Sequence, residues 1–354
     1  MKNEWNGIGV MSGTSLDGID LAWCHFTRKK DGKWDYRIEK AVTVPYSATM
    51  RERLADATQL SAFEYVKLNN DVAECFATAI NDWLGEGPRP DFIASHGHTV
   101  FHQPSSGLTT QIGNGAVMAA RTGITTVCDF RTKDVALGGQ GAPLVPIGDE
   151  LLFGEYDACL NLGGFSNISY HIDKQRIAYD ISPCNMALNL LANRAGLPYD
   201  ENGKLSRGGV IIPELLRQLN TLDYYRQTPP KSLGKEWFEE LFLPVLQLFI
   251  PKETLANVAR TVVEHIAMQL AANVPATAKT LLVTGGGAHH SFLIQQLQNQ
   301  CDKLKIMLPE RLIIDYKEAL IFAFLGLLRL NGEVNCLSSV TGASVDSCGG
   351  CVYV

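Results

Sequence analysis

Apolar and polar positions alternate on two different periods along this chain. Around Ile8, Val10 and Met11, and again from Ile19 to Phe26, short β-type runs flank Ser12-Gly13-Thr14-Ser15-Leu16-Asp17-Gly18, the pattern of a hairpin closed by a polar turn. Between Ala48 and Leu84 the period lengthens. Leu68, Val72, Cys75, Phe76 and Ile80 recur at helical spacing, which predicts one or two surface helices. Pro88 and Pro90 then break the chain, and Asp91-Phe92-Ile93-Ala94 reads as a short strand that delivers Ser95-His96-Gly97-His98-Thr99 at its end. A helix over Ala116 to Thr122 and a strand over Thr125 to Cys128 lead to Asp129-Phe130-Arg131.

The same grammar then restarts. Gly138-Gly139-Gln140-Gly141-Ala142-Pro143 reads as a flexible stretch, and Ala158 to Leu162, Gly163-Gly164-Phe165-Ser166-Asn167 and Ile168 to Tyr170 repeat the strand, glycine turn, strand unit. A strand over Arg176 to Tyr179 ends at Asp180. Helical periodicity covers Met186 to Ala195, Pro213 to Leu219 and Leu255 to Ala272; the strand Leu281 to Thr284 runs into Gly285-Gly286-Gly287 and a helix from Phe292 to Asn299. Glu318 opens a last apolar helix, Ala319 to Leu328. This order predicts two α/β halves, residues 1–132 and 133–334, with 335–354 returning to the first. A ligand is expected in a cleft between two such halves.

Composition narrows the class. With 354 residues, 46% hydrophobic and 19% charged, the chain has ample core and is not a disordered protein. Lys plus Arg number 31 against 37 Asp plus Glu, a net charge of −6, so the basic excess of a nucleic-acid binder is missing. The run Ala319 to Leu328 is too short for a membrane helix, and Met1-Lys2-Asn3-Glu4-Trp5 lacks the apolar core of a signal peptide, so a cytoplasmic protein is expected. Nine scattered cysteines fit reduced thiols. Cys348-Gly-Gly-Cys351 has redox or metal spacing but no accompanying second pair, and the final Cys351-Val352-Tyr353-Val354 matches a prenylation box without an upstream basic cluster.

Three glycine turns that follow strands offer backbone amides to phosphate oxygens, although each also serves simply to close a hairpin. The first adds the hydroxyls of Ser12, Thr14 and Ser15, with Asp17 and Asp20 as possible outer ligands of a hydrated Mg²⁺. There is no Walker A sequence and no GxGxxG between a strand and a helix, which excludes P-loop and Rossmann nucleotide binding. His96, His98 and His102 lack nearby thiols or carboxylates and suit a polar substrate loop better than a zinc site.

Taken in order, Gly9 to Asp20, Ser95-His96-Gly97-His98-Thr99, Asp129-Phe130-Arg131, Gly139-Gln140-Gly141-Ala142-Pro143-Leu144-Val145 and Asn161-Leu162-Gly163-Gly164 closely resemble the anhydro-N-acetylmuramic acid kinase family. The resemblance runs from residue 9 to Glu318 and implies a two-domain actin/hexokinase-like (ribonuclease H-like) α/β fold with a nucleotide cleft. It also implies an enzyme that uses ATP and Mg²⁺ to open a 1,6-anhydro amino sugar and phosphorylate its O6, in cell-wall recycling. On that resemblance Asp180 is the base that activates water; the bare sequence also allows it to cap the turn before Ser182-Pro183. Gly13, Thr14, Ser15, Leu16, Asp17, Gly18, Ile19 and Asp20 match the ATP-binding segment, Asn161, Gly163, Gly164 and Asn167 the opposing phosphate turn, and Gly285, Gly286 and Gly287 the adenosine side. His96, Gly97, Thr99, Asp129, Arg131 and Glu318 match sugar-binding positions. Arg131 would supply a planar fork to the lactyl carboxylate, or else pair with Asp129 or Asp134. Glu318 also suits the first turn of a helix on charge grounds alone. The family further implies a small-molecule amino-sugar partner and a homodimer.

The sequence departs from the family pattern at sugar-facing turns. Asp180-Ile181-Ser182-Pro183-Cys184-Asn185 replaces Asp-Thr-Gly-Pro-Gly-Asn, Asn114-Gly115 stands for Asp-Pro, and the third glycine turn ends in His289-His290. If the missing glycines serve positive φ or close ligand approach, Ser182 and Cys184 strain or narrow the site. A different anhydrosugar, or a nucleotide-binding regulator, is the competing reading.

Overall fold

In the computed structural model, which describes residues 2–13, 16–173 and 175–354, β1 (Glu4–Ser12) and β2 (Ile19–Arg28) form the expected hairpin, Met11 facing Asp20 at its closed end. The edge strand β3 (Trp34–Val44) lies antiparallel to β2. On the other side β4 (Phe92–Gln103) runs parallel to β1, β5 (Leu108–Ile112) folds back on β4, and β6 (Thr126–Cys128) runs parallel to β4. The second sheet repeats the plan. Its meander is β7 (Ala158–Leu162), β8 (Phe165–Ile172) and β9 (Gln175–Pro183), extended by β10 (Thr280–Thr284) parallel to β7 and β11 (Lys305–Met307) parallel to β10. The orders β3-β2-β1-β4-β6 and β9-β8-β7-β10-β11 are the same succession, an antiparallel meander followed by two parallel additions. This is a duplicated α/β architecture of the ribonuclease H-like kind. The last strand, β12 (Cys351–Tyr353), pairs antiparallel with β6 and joins the C-terminal segment to the first sheet.

Helices cover each sheet with an apolar face. Ser61 and Glu64 close a reciprocal capping box at the start of Ala62–Leu84, which buries Leu68, Val72, Phe76 and Ile80 against Ile8, Val10, Leu21 and Ile93. Each such side chain contributes about 1.5–3 kcal/mol by leaving water. In the second unit, Leu188 and Leu191 of Asn185–Arg194 and Val262 and Ile266 of Leu255–Asn273 pack on Leu160, Ile168 and Ile181. The apolar helix Arg311–Leu330 lies so close to the first sheet that a Cβ on Gly9 would overlap the Ala319 carbonyl, and one on Gly326 the Ala94 side chain. Among the described residues, no helix is long and apolar enough to cross a membrane.

Several boundaries differ from expectation. The chain divides into Met1–Gly154 with Tyr316–Val354, and Glu155–Asp315, rather than near residues 132 and 334. The helices Thr132–Ala136 and Pro146–Leu151 stay with the first unit because Asp134 bonds Thr341 and Gly148 packs directly on Ile321. Ser95 to Thr99 is not a loop after a strand but lies within β4, whose path bends at Gly97, where φ is +75°. Asp180 likewise lies within β9, which continues to Pro183. Glu318 does not open its helix. That helix starts at Arg311, departs from helical geometry at Tyr316, and resumes before Glu318.

Candidate active site

In the first unit, the turn between β1 and β2 carries Gly13, Leu16, Asp17 and Gly18; Thr14 and Ser15 lie outside the described residues. Leu16 takes a left-handed conformation (φ +60°) and its N–H bonds the Gly13 carbonyl at 3.3 Å. Gly18 is required by packing, since a Cβ there would sit 2.5 Å from the Val44 carbonyl oxygen. Ile19 is buried and begins β2, whereas Asp17 is exposed and Asp20 accepts the Thr43 hydroxyl at 2.6 Å. Just before this turn, the buried Ser12 hydroxyl lies 2.6 Å from the Tyr46 hydroxyl and 2.9 Å from His98 Nδ1, linking the turn to β4. Burial depresses His98 to about 4, so its ring is neutral at pH 7.

Arg131 stands at the start of the helix Thr132–Ala136. Its Nε and Nη2 donate to His96 Nε2 at 3.0 and 2.8 Å, and its Nη1 to the Gly141 carbonyl at 2.6 Å. It bonds neither Asp129 nor Asp134 directly. Because His96 Nε2 accepts, the ring proton is on Nδ1, which donates to the Gly97 carbonyl at 2.9 Å. Desolvation, with Arg131 adding to it, holds His96 neutral and well below its ordinary pKa. Both His96 nitrogens are therefore used within the protein, and the ring also packs on Phe322 at 4.7 Å between centroids. Desolvation brings Arg131 down to about 10, opposed by the Glu318 carboxylate. Glu318 keeps solvent contact while surrounded by protein atoms; the loss of hydration raises its pKa, with Arg131 working the other way and the solvent contact limiting the shift. Thr99 is paired with Gln111 across β4 and β5, and Asp129 adopts φ +58° with Cys351 Sγ 3.9 Å from its Oδ2. The structure thus gathers His96, Gly97, Arg131 and Glu318 into one electrostatic group in this unit.

In the second unit, Asp180 faces Asn167 across β8 and β9. Its Oδ2 accepts the Leu233 N–H at 2.9 Å and its carbonyl accepts the Tyr224 hydroxyl at 2.6 Å. Desolvation pushes the carboxyl from 3.8 up to about 6, with the Leu233 amide pulling the other way. Among the described residues no cation is bonded to it; Lys231 lies over the Tyr224 ring at 4.8 Å. A carboxylate of this kind is protonated and deprotonated near neutral pH, as a general base requires.

The glycine turns of this unit fall into two kinds. Gly285 (φ +81°) and Gly287 are required by the fold, because a Cβ would meet Asn161 Oδ1 at 2.5 Å or Leu162 Cβ at 2.7 Å. At Gly164 and Gly286 a Cβ would find nothing nearer than 3.9 and 3.5 Å, so the protein leaves room there. Asn185 secures the turn from below, its side-chain amide donating to the Leu162 carbonyl at 2.9 Å and its backbone N–H to Gly163 at 3.0 Å. Beside it lies a cavity of about 490 Å³ lined by Asn185, Asp200, Asn202, Gly286, His289 and Arg311; of these, Asp200, Asn202 and Arg311 were not marked by any sequence pattern. His289 Nε2 is 2.6 Å from Asp315 Oδ1, while His290 accepts the Leu293 N–H and thereby donates from Nε2 to Asp200 at 3.2 Å. Burial alone would raise the Asp200 carboxyl, yet His290 and the Leu205 and Ser206 groups hold it at about 2.

Ser182 and Cys184 cause no narrowing by strain. Neither has positive φ: Cys184 (φ −125°) packs in the apolar core and donates its N–H to Gly164, and Ser182 exchanges hydrogen bonds with Ser166.

A family model described as Anhydro-N-acetylmuramic acid kinase matches residues 6–354. The chain belongs to the anhydro-N-acetylmuramic acid kinase family. Relatives of that name include the proteins of Synechococcus elongatus, 35% identical with 95% of this chain and 96% of that one covered, and of Aliivibrio fischeri, 35% identical with 98% of each covered. Among solved structures, a ROK family protein from Streptococcus pneumoniae in complex with sucrose superposes with TM-score 0.39 at 11% identity, over 92% of this chain and 99% of that one, too distant to carry an argument. The family resemblance of the motifs is therefore a true relationship over nearly the full length of the anhydro-N-acetylmuramic acid kinase relatives.

Proposed function

We propose that the chain opens 1,6-anhydro-N-acetylmuramic acid with water and phosphorylates the released O6 from ATP, giving N-acetylmuramic acid 6-phosphate in cell-wall recycling. The observation that carries this reading is Asp180, a desolvated carboxylate poised near neutral pH within a chain of this kinase family. Asp180 takes a proton from water as the water oxygen bonds the anomeric carbon; the C1–O6 bond breaks, O6 takes the γ-phosphoryl group, and ADP leaves. Splitting the roles this way needs one base on the water side and neutralisation on the phosphate side.

The Gly13, Thr14, Ser15, Leu16, Asp17, Gly18, Ile19 and Asp20 segment and the Asn161, Gly163, Gly164 and Asn167 turn serve the phosphates. Gly164 and Gly286 support this, because a Cβ at either would make only ordinary contact, so the fold's own packing does not demand a glycine there. The cavity beside Gly286 suits the adenosine. Asp17 and Asp20 would hold Mg²⁺, which is commonly bound by one or two carboxylates, waters and substrate phosphates, and which supplies charge neutralisation when bound. Among the described residues there is no group of three ligands that would build an all-protein cage. Arg131 and Glu318, with Gly97, Thr99 and Asp129, recognise the sugar acid, His96 acting on Arg131. A cytoplasmic homodimer accompanies this reading.

The test is turnover in ¹⁸O-labelled water with ATP and Mg²⁺, followed by mass spectrometry. A 6-phosphorylated, ring-opened sugar labelled at its anomeric hydroxyl, with one ADP per sugar, is the expected result. ATP binding without any phosphosugar would instead point to a regulator or another substrate.

A further inference from the structure

The Gly138-to-Pro143 stretch wraps around a buried carboxylate. Asp134 is 1% exposed. Its Oδ2 accepts the Gly141 N–H at 2.7 Å, and its Oδ1 accepts the Thr341 hydroxyl at 2.7 Å and the Cys336 thiol at 3.0 Å. The Gly139 N–H also returns to the Asp134 carbonyl at 2.9 Å. A Cβ on Gly139 would overlap this carboxylate, and Gly141 has φ +65°, so the glycines are there to let the loop wrap around Asp134. The product of that wrapping is the position of one atom, the Gly141 carbonyl oxygen, which holds Arg131 Nη1.

Arg131 has five N–H donors, of which three are engaged by His96 and Gly141. Two remain. We propose that Asp134 is a positioning residue for Arg131: it shapes the Gly138–Pro143 loop so that Gly141 and His96 together hold the guanidinium still, with two donors left for the carboxylate of the substrate. This rests on the reading of Arg131 as the carboxylate-recognising residue. The consequence is that selectivity for a sugar acid depends on a side chain that touches no substrate, and on two donors from the C-terminal segment. A guanidinium held by three bonds to two partners loses less freedom on binding, which is where a fork gains its specificity.

The experiment compares kcat/KM for 1,6-anhydro-N-acetylmuramic acid with that for 1,6-anhydro-N-acetylglucosamine, which lacks the lactyl carboxylate, in the full chain. Asp134→Asn is expected to lower this ratio about tenfold, the size of a lost charge-assisted bond, by raising KM for the acid while KM for ATP stays within about twofold. Arg131→Ala is expected to lower the ratio at least as much, and adding Asp134→Asn to it to lower it no further. A ratio unchanged in Asp134→Asn but reduced in Arg131→Ala overturns the positioning role alone. A ratio unchanged in Arg131→Ala overturns the carboxylate reading and the proposal with it. Should Asp134→Asn fail to fold, Thr341→Val removes one donor to Asp134 and keeps the Gly141 bond; a smaller fall of the ratio supports the proposal and an unchanged ratio overturns it.

Discussion

The two sheets share one strand order, yet they hold Arg131 and Asp180 in different ways. In the first unit Arg131 is tied by His96 and Gly141, and Glu318 stays wet beside it, so charge is kept by hydrogen bonds and solvent. The second unit strips hydration from Asp180 and gives it one backbone amide in return. The contrast teaches that the repeated scaffold fixes where a strand end or turn lies, whereas the chemistry is set by how many partners each site supplies. A binding group needs a fixed geometry; a base needs a proton affinity near the working pH.

The sharpest way to break this contrast is Asp180→Asn. A loss of about 10²–10⁴ in kcat is expected, with ATP affinity by calorimetry within about threefold of wild type. Turnover at the parental rate would remove Asp180 from the base role. The pH profile sharpens the same point: since the carboxyl sits at about 6, only the deprotonated form accepts a proton, and kcat/KM is expected to fall tenfold per unit below that pH. An acid limb near 4 would mean that hydration of Asp180 is retained. Between the glycine turns, Gly164→Val is expected to raise KM for ATP about tenfold at an unchanged melting temperature, because a Cβ there meets only Met186, at an ordinary 3.9 Å, while the added bulk enters the proposed phosphate site. Gly287→Ala should act on folding instead, costing about 1–3 kcal/mol in denaturant unfolding through overlap with Leu162. The smallest effect is reserved for Ser182→Gly. With its hydroxyl satisfied by Ser166 and no positive φ to relieve, it should change kcat/KM by less than about threefold; a tenfold gain would show that the serine narrows the site after all.

Much of the plan was legible in the chain. The polar turn after Val10, the helical spacing of Leu68, Val72, Phe76 and Ile80, and the second glycine turn after Leu162 are local patterns, and local patterns determine elements. The boundary near residue 132 was not, because what keeps Thr132–Ala136 with the first unit is a bond from Asp134 to Thr341, far away in sequence. The edge strand β3 was not legible, because the charges of Asp35, Arg37 and Glu39 mask the alternating apolar face of Trp34, Tyr36 and Ile38. At the site, it was the family resemblance that singled out Asp180 and Arg131, the residue types alone leaving a turn cap and an ion pair open. Nothing local told that His96 spends both ring nitrogens inside the protein, or that a cavity forms between Asn185 and Arg311, since both depend on segments joined only by folding.

The pairing of β12 with β6 has a consequence for the order in which the molecule can be made. Residues 155–315 form one uninterrupted stretch, so the unit carrying Asp180 and its glycine turns can assemble while the ribosome is still at work. The first sheet is begun earlier and finished later: it waits for the helix that presses on Gly9 and for the strand that covers β6. The first-made half of this chain is the last to become complete, and until then its exposed strand edges are what a nascent-chain chaperone would find.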